Sequence, residues 1–365
     1  MGTIKFMQNP FLTQDLYPFS LTRDVEDIRV GIFTIKEKWE RLLRAKKGFY
    51  LIHNTLLPSK KLWAQVNRLK PGEAIGTSPD DWLVYHVRDV DDPFPHPEKL
   101  LVPDDAATVN YPWEIFEKNK DCLLFDFEHF IKKQKPAKID RSNAVENPKN
   151  IFIEEGAVVK HCVLNADEGS IYIGKNTLVM EGSCLRGPIS IGEKAVVKMG
   201  AKIYGATTVG PHCTVGGEIK NSVLFANSNK AHDGYLGDSV IGEWCNIGAG
   251  CSNSNLKNTA GNIAVHLQGR KYTVGIKCGM LMGDFSRLAV NTAVNTATVI
   301  GVSANVFGQG LTPKHIPSFA WGYDKKVRYK PDKAIEDADR WKRLKGQTLT
   351  PAEADRLKNI YKHSK

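Results

Sequence analysis

The chain lacks most of the short signatures that settle a protein's class at once. Its 365 residues hold no run of about 18 apolar residues, so no segment reads as a membrane-spanning helix. The N-terminus, MGTIKFMQNPF, has no apolar signal core, and secretion is not expected. Phe6 stands where the myristoylation pattern needs Ser or Thr. Seven cysteines occur without a CxxC pair, which argues against a disulfide framework or zinc site. Reduced, packed thiols in a cytoplasmic protein are the expectation, with no metal site assigned. No basic face interleaved with aromatics is present, so no nucleic-acid partner is expected. The net charge of +10 is concentrated: residues 325–365 carry 13 Lys+Arg against 6 Asp+Glu. Such a tail suits an anionic ligand, or is simply a solvated helix.

What is present is a period of six. Ile173, Val179, Leu185, Ile191, Val197, Ile203, Val209 and Val215 fill every sixth position. Four places further on the side chain is usually small, as at Thr177, Ser183, Ala195, Ala201, Thr207 and Cys213. Neither a helix of period 3.6 nor a strand of period 2 produces this. A coil of short strands, three to a turn, does, with one aliphatic of each strand facing inward. The coil is expected over 151–312. It resumes at Ile276, Met282, Leu288, Val294, Ile300 and Val306. Between these stretches the period slips after Val215 and recovers at Ile241 and Ile247. Residues 252–272 have no sixfold period and read as a loop inserted at one corner, a common place for binding function in solenoids.

Residues 1–145 read as a mixed α/β domain. Val25, Ile28, Ile32, Ile35, Trp39 and Leu42 recur three or four apart, predicting a helix over much of 16–48. FYLIHNTLL (49–57) and DWLVYHV (81–87) read as strands, KKLWAQVNRL (60–69) and 111–133 as helical, and 91–97 as a loop. Residues 134–150 are a polar linker. After Pro313 and Pro317 the basic tail, 325–365, is helical, and Thr350-Pro351-Ala352-Glu353 forms a capping box. The last helix is expected to cover the open end of the coil.

The sixfold repeat resembles the hexapeptide-repeat transferases. That resemblance implies a left-handed parallel β-helix and a homotrimer with sites between neighbouring coils. Residues 230–258, KAHDGYLGDSVIGEWCNIGAGCSNSNLKN, are similar to the acetyltransferase half of the bacterial bifunctional enzyme that makes UDP-N-acetylglucosamine. Lys230-Ala231-His232 matches its Lys-Ala-Gly-His stretch with one residue missing. Tyr235 to Asp238 match Tyr-Leu-Gly-Asp, and Asn246 to Gly250 match Asn-Ile-Gly-Ala-Gly. Asn255 stands for the Asn of an Asn-Tyr pair whose Tyr is replaced by Leu256. The resemblance implies His232 as catalytic base, with Lys230, Tyr235, Asn246 and Asn255 binding substrate. A base of His type suits acetyl transfer from a thioester to an amine near neutral pH. His266 is the alternative base; His161 and His212 read as ordinary corner residues.

The N-terminal stretch LYPFSLTRDVEDIRVGIFTIKEKW (16–39) resembles the start of the sugar-1-phosphate nucleotidyltransferases. Leu16-Tyr17-Pro18 and Thr22-Arg23 follow that pattern in outline. The resemblance makes Arg23, Arg29, Lys36 and Lys38 candidate nucleotide-binding residues, with Mg2+ implied if the nucleotidyl activity exists. The glycine-rich loop of that family is gone, because MQNPFLTQD (7–15) contains no Gly. The alternative is that Arg23, Arg29 and Lys36 pair structurally with Asp24, Glu26 and Asp27.

The expectation is therefore a reduced nucleotidyltransferase-like α/β domain, a left-handed parallel β-helix and a C-terminal helical tail. The implied activity is acetyl transfer from acetyl-CoA to an amino sugar phosphate, with possible nucleotidyl transfer to a sugar-1-phosphate. One alternative is a nucleotidyltransferase that uses the coil only as a trimer scaffold. Another is a non-catalytic sugar-nucleotide-binding trimer. A carbonic-anhydrase-type metal hydrolase is disfavoured, because His161, His212 and His232 lack the required close pair.

Overall fold

The computed structural model describes residues 2–8, 15–89, 96–323 and 327–364. Most of the glycine-free stretch 7–15, the loop at 91–97 up to residue 95 and the first residues of the tail lie outside the described residues.

The N-terminal domain is built on a five-stranded mixed sheet. Its strand order is Thr3–Met7, Phe49–His53, Asp81–Val87, Glu73–Ser78 and Lys99–Leu101. The helix expected from the start of the apolar pattern begins only at Ile35 and runs to Leu43, capped by a Thr34–Glu37 box. The apolar residues before it, Ile28 and Ile32, are buried from an irregular loop instead. Gly31 sits in that loop at φ 80, where a Cβ would meet Asp126 at 2.5 Å. Periodic burial looks the same in sequence whether a helix or a packed loop supplies it.

The solenoid follows the sixfold pattern. Ile173, Val179, Leu185, Ile191, Val197, Ile203, Val209 and Val215 are all buried in one continuous core. Its first described strand, Ala144–Glu146, pairs in parallel with Val163–Asn165, so the coil begins inside the expected linker. Three parallel sheets of eight, six and nine strands form the sides. Cys213, Cys245 and Cys251 are buried in the small slots, and all seven cysteines are free thiols. His161 and His212 take corner conformations at φ 54 and 58. Among the described residues no helix is long and apolar enough to cross a membrane.

The region read as a phase slip is continuous coil. Ile219, Leu224, Leu236 and Ile241 all lie in the core, with shortened turns between them. Lys230 stands six after Leu224 and six before Leu236 and pairs with Val215, so a lysine fills an aliphatic slot. That substitution hid the period.

One side and one corner strip of the coil are covered. The nine-stranded side packs against the N-terminal domain, with Val223, Phe225, Val240, Leu281 and Val299 sharing a core with Phe19, Ile35 and Ile115. Asn119 clamps this seam: its amide donates to the Ala206 carbonyl at 2.6 Å and its oxygen accepts from Gly31 N–H. The terminal helices, Pro331–Arg343 and Pro351–His363, pack on a corner strip of Trp244, Phe285, Val302 and Phe319. They lie alongside the coil rather than across its end, because those corner aromatics supply the apolar surface. Lys345 reaches as far back as the carbonyls of His212 and Asn227, at 2.6 and 2.9 Å. The third side, six-stranded, carries exposed residues such as Val163 and Cys184.

Candidate active site

Two strands of adjoining solenoid sheets, Asn229–Lys230 and Tyr235–Gly237, flank the corner that carries His232. His232 and Asp233 are exposed there, and Gly234 turns the chain at φ 122. A Cβ on Gly234 would lie 2.0 Å from the Cys251 carbonyl, so no other residue fits. Lys230 was expected to meet a substrate phosphate. The structure places it inside the coil, 2% exposed, where its ammonium donates to the His232 carbonyl at 2.5 Å. Burial, only partly offset by Cys251 and Asp233, pushes its pKa down to about 8.

Tyr235 leaves this corner on the open six-stranded side. Its ring lies across Gly237, where a Cβ would stand 2.2 Å from the Tyr235 hydroxyl oxygen. The hydroxyl accepts a hydrogen bond from Asn255 Nδ2 at 3.1 Å. The same Nδ2 donates to Asp238 Oδ2 at 2.5 Å, and Asn221 donates to Asp238 Oδ1 at 2.6 Å. Burial first, then the Asp238 carboxylate, raises the Tyr235 pKa, so the phenol stays protonated. The structure thus brings Tyr235 and Asn255 together and adds Asp238 and Asn221, which the sequence reading did not assign to the site. Asp238 was visible in the Tyr-Leu-Gly-Asp match, but nothing in sequence showed that it bridges two asparagines. Asn246 lies on another side of the coil, between Asn229 and Arg287 in the ladder. Arg287 there sits under the Trp341 ring of the tail, 5.1 Å from its centroid. Asn246 is not brought to the Tyr235–Asn255 pair.

The insert is an arm, not a free loop. Its hairpin pairs Ala264–Leu267 with Arg270–Thr273. Ile263, Val265, Leu267, Val274 and Cys278 enter the core of the N-terminal domain. Tyr272 packs against Tyr111 and Trp113 with ring centroids 5.1 and 5.4 Å apart. The arm's root returns to the site, where Cys278 N–H donates to the Asn255 carbonyl at 2.9 Å. His266 is exposed on the hairpin, opposite Lys271. Two cations stand near this root. Lys314 bonds Asn295 Oδ1 at 3.0 Å and Thr296 Oγ1 at 2.6 Å, and burial together with the charge of Lys257 lowers its pKa.

The four cations assigned to nucleotide binding are engaged elsewhere. Arg23 bonds Glu243 at 2.9 Å and pairs with Asp284, tying the first domain to the coil. Although burial opposes it, these carboxylates push the Arg23 pKa up. Lys38 is fully buried against Asp126. Arg29 bonds the Ile32 carbonyl and lies 3.6 Å from Glu37, and Lys36 lies 4.0 Å from Asp27 on the surface. Of these four, only Lys36 pairs with a carboxylate that the structural alternative named. Among the described residues no group of three or more His, Cys, Asp or Glu could hold a metal ion. His53, at the end of the second sheet strand, is buried with Nδ1 2.8 Å from the Thr55 hydroxyl, and burial pushes it down to about 4. The tail's cations are largely paired within the tail, as in Arg343–Asp339 at 2.7 Å and Lys342–Glu353 at 2.6 Å, or bonded to carbonyls.

Residues 6–135 match a family model described as sugar nucleotidyl transferase. That stretch precedes the parallel solenoid. Curated proteins are similar to parts of the chain. The chain is 25% identical over 220 residues to the bifunctional protein GlmU of Methanococcus maripaludis, covering 60% of this chain and 47% of that protein. It is 29% identical over 183 residues to GlmU of Wigglesworthia glossinidia brevipalpis, covering 46% and 37%. Over 91 residues it is 33% identical to a bifunctional sugar-1-phosphate nucleotidylyltransferase/acetyltransferase of Sulfurisphaera tokodaii, covering 25% and 23%. The matches thus span about half or less of these relatives' lengths. Among solved structures, an Arabidopsis UDP-N-acetylglucosamine acyltransferase matches 62% of this chain and 90% of its own, at 15% identity and TM-score 0.30.

Proposed function

We propose that the solenoid transfers an acetyl group from acetyl-CoA to the amine of an amino sugar phosphate in sugar-nucleotide biosynthesis. The observation that carries this is the corner itself: an exposed His232 three residues before Tyr235, whose hydroxyl is fixed by Asn255 and, through it, by Asp238. His232 takes the proton from the acceptor amine as its nitrogen attacks the thioester carbonyl. The C–N bond forms, the C–S bond breaks, and the CoA sulfur leaves and is protonated. Tyr235 and Asn255 hold the sugar. Lys257 and Lys314, at the root of the arm, supply positive potential for its phosphate.

The open six-stranded side is the surface left for self-association, and a homotrimer is part of this reading. The relatives' names support both acetyl and nucleotidyl transfer. The internal pairing of Arg23 and Lys38 favours the solenoid as the working centre, with Mg2+-dependent nucleotidyl transfer as the second activity to assay. Incubating the purified protein with acetyl-CoA, glucosamine-1-phosphate and a panel of nucleoside triphosphates, with and without Mg2+, and reading products by mass spectrometry tests both. An acetylated sugar phosphate supports the proposal. Pyrophosphate release alone would make the coil a scaffold, and no product at all would make the protein a binder.

A further inference from the structure

Lys230 occupies a position that this fold fills with aliphatic side chains. Its column in the eight-stranded side runs Val159, Val179, Val197, Val215, Lys230, Ile247, Leu288, Val306. An ammonium there is costly unless hydrogen-bonded, and it carries three donors. Its acceptor is the His232 carbonyl, at 2.5 Å.

In two other turns of this side a hydroxyl in the small slot ties the corner from within, at the carbonyl one residue past the aliphatic rather than two. Ser183 Oγ donates to the Met180 carbonyl at 2.8 Å, and Thr292 Oγ1 donates to the Ala289 carbonyl at 2.7 Å. In the His232 turn the small slot is Gly234, which has no side chain and cannot acquire one against Cys251. Its corner would otherwise lack an internal tie.

We propose that Lys230 is a positioning residue for His232: from inside the coil its ammonium fixes the His232 carbonyl and so the corner that presents the imidazole. This rests on the reading of His232 as the base. Lys230 therefore contacts no substrate. A destabilising residue kept at one slot of a regular fold is the mark of a functional constraint. Misplacing a catalytic group by about 1 Å costs on the order of 100-fold in rate, so losing the tie should act on turnover and not on affinity.

The test is Lys230→Met in the full chain, with Lys230→Gln as a second variant that keeps a donor. Steady-state acetyl transfer, thermal melting and amide exchange by mass spectrometry are compared with wild type. Lys230→Met should melt no lower than wild type and lose at least about tenfold in kcat, with KM for both substrates within about twofold. Amides at 231–234 should exchange faster while those at 213–215 stay unchanged, and Lys230→Gln should recover part of kcat. Unchanged kcat and exchange overturn the proposal. So does a rise in acceptor KM at unchanged kcat, which would make Lys230 a substrate contact. If wild type transfers no acetyl group, the functional reading fails, and exchange at the corner alone decides whether the tie exists.

Discussion

Lys230 and His232 sit two residues apart on opposite sides of the solenoid wall, joined by a bond from the buried ammonium to the exposed residue's carbonyl. The inside of the coil thereby bears on its outside at the one corner where the acetyltransferase-like motif lies.

Asn255 is the hub of the polar cluster, donating to both Tyr235 and Asp238. Asn255→Ala leaves the half-buried Tyr235 hydroxyl and one Asp238 oxygen without that donor. Stability should fall by about 1–2 kcal/mol. The KM for the acceptor should rise about tenfold while the KM for acetyl-CoA stays near wild type. Initial-rate kinetics with each substrate varied in turn checks this.

Gly234 is the sharpest steric constraint at the site. At φ 122 and with Cys251's carbonyl 2.0 Å from a Cβ, Gly234→Ala must move one of two adjoining turns. A loss of about 2 kcal/mol or more is expected in denaturant unfolding, well beyond an ordinary surface substitution. Gly269→Ala is the control: Gly269 has φ 80 but nothing within 4 Å, so only conformational strain is added there.

How much was legible follows from these residues. Ile173 to Val215 announced the coil because every slot obeyed one rule. The same rule failed at Lys230, where a lysine stands in an aliphatic slot, so a continuous coil read as a slip. The motif at 230–238 was visible, yet the inward direction of Lys230 was not, since only the register against Val215 reveals it. Arg23 matched a nucleotide-binding pattern locally. Its partners, Glu243 and Asp284, lie more than two hundred residues away and no local pattern could supply them. The arm at 252–272 read as a loop because its apolar residues serve the other domain's core.

The Arg23–Asp284 pair locks the first domain to the coil from a nearly dry position. Arg23→Leu leaves Asp284 buried with its charge uncompensated, and about 3–5 kcal/mol should be lost. Thermal unfolding should show this as a lower melting temperature than wild type.

His53 predicts a pH dependence. Its folded pKa, about 4, lies below the ordinary 6.5, so the unfolded chain binds a proton that the folded chain refuses between these values. Stability should therefore fall as pH drops from about 6.5 to 4, by up to about 3 kcal/mol from this group, and level off below. Unfolding free energies of wild type and His53→Gln over that range should differ in slope, the variant being flatter.

The central claim is that the solenoid corner performs acetyl transfer with His232 as base. The most direct measurement is acetyl transfer from acetyl-CoA to glucosamine-1-phosphate by wild type and His232→Ala, read by mass spectrometry alongside the oligomeric mass of each. The account predicts acetylated sugar phosphate with wild type and a loss of about 100-fold or more in His232→Ala at unchanged oligomeric mass. Full activity in His232→Ala would contradict it.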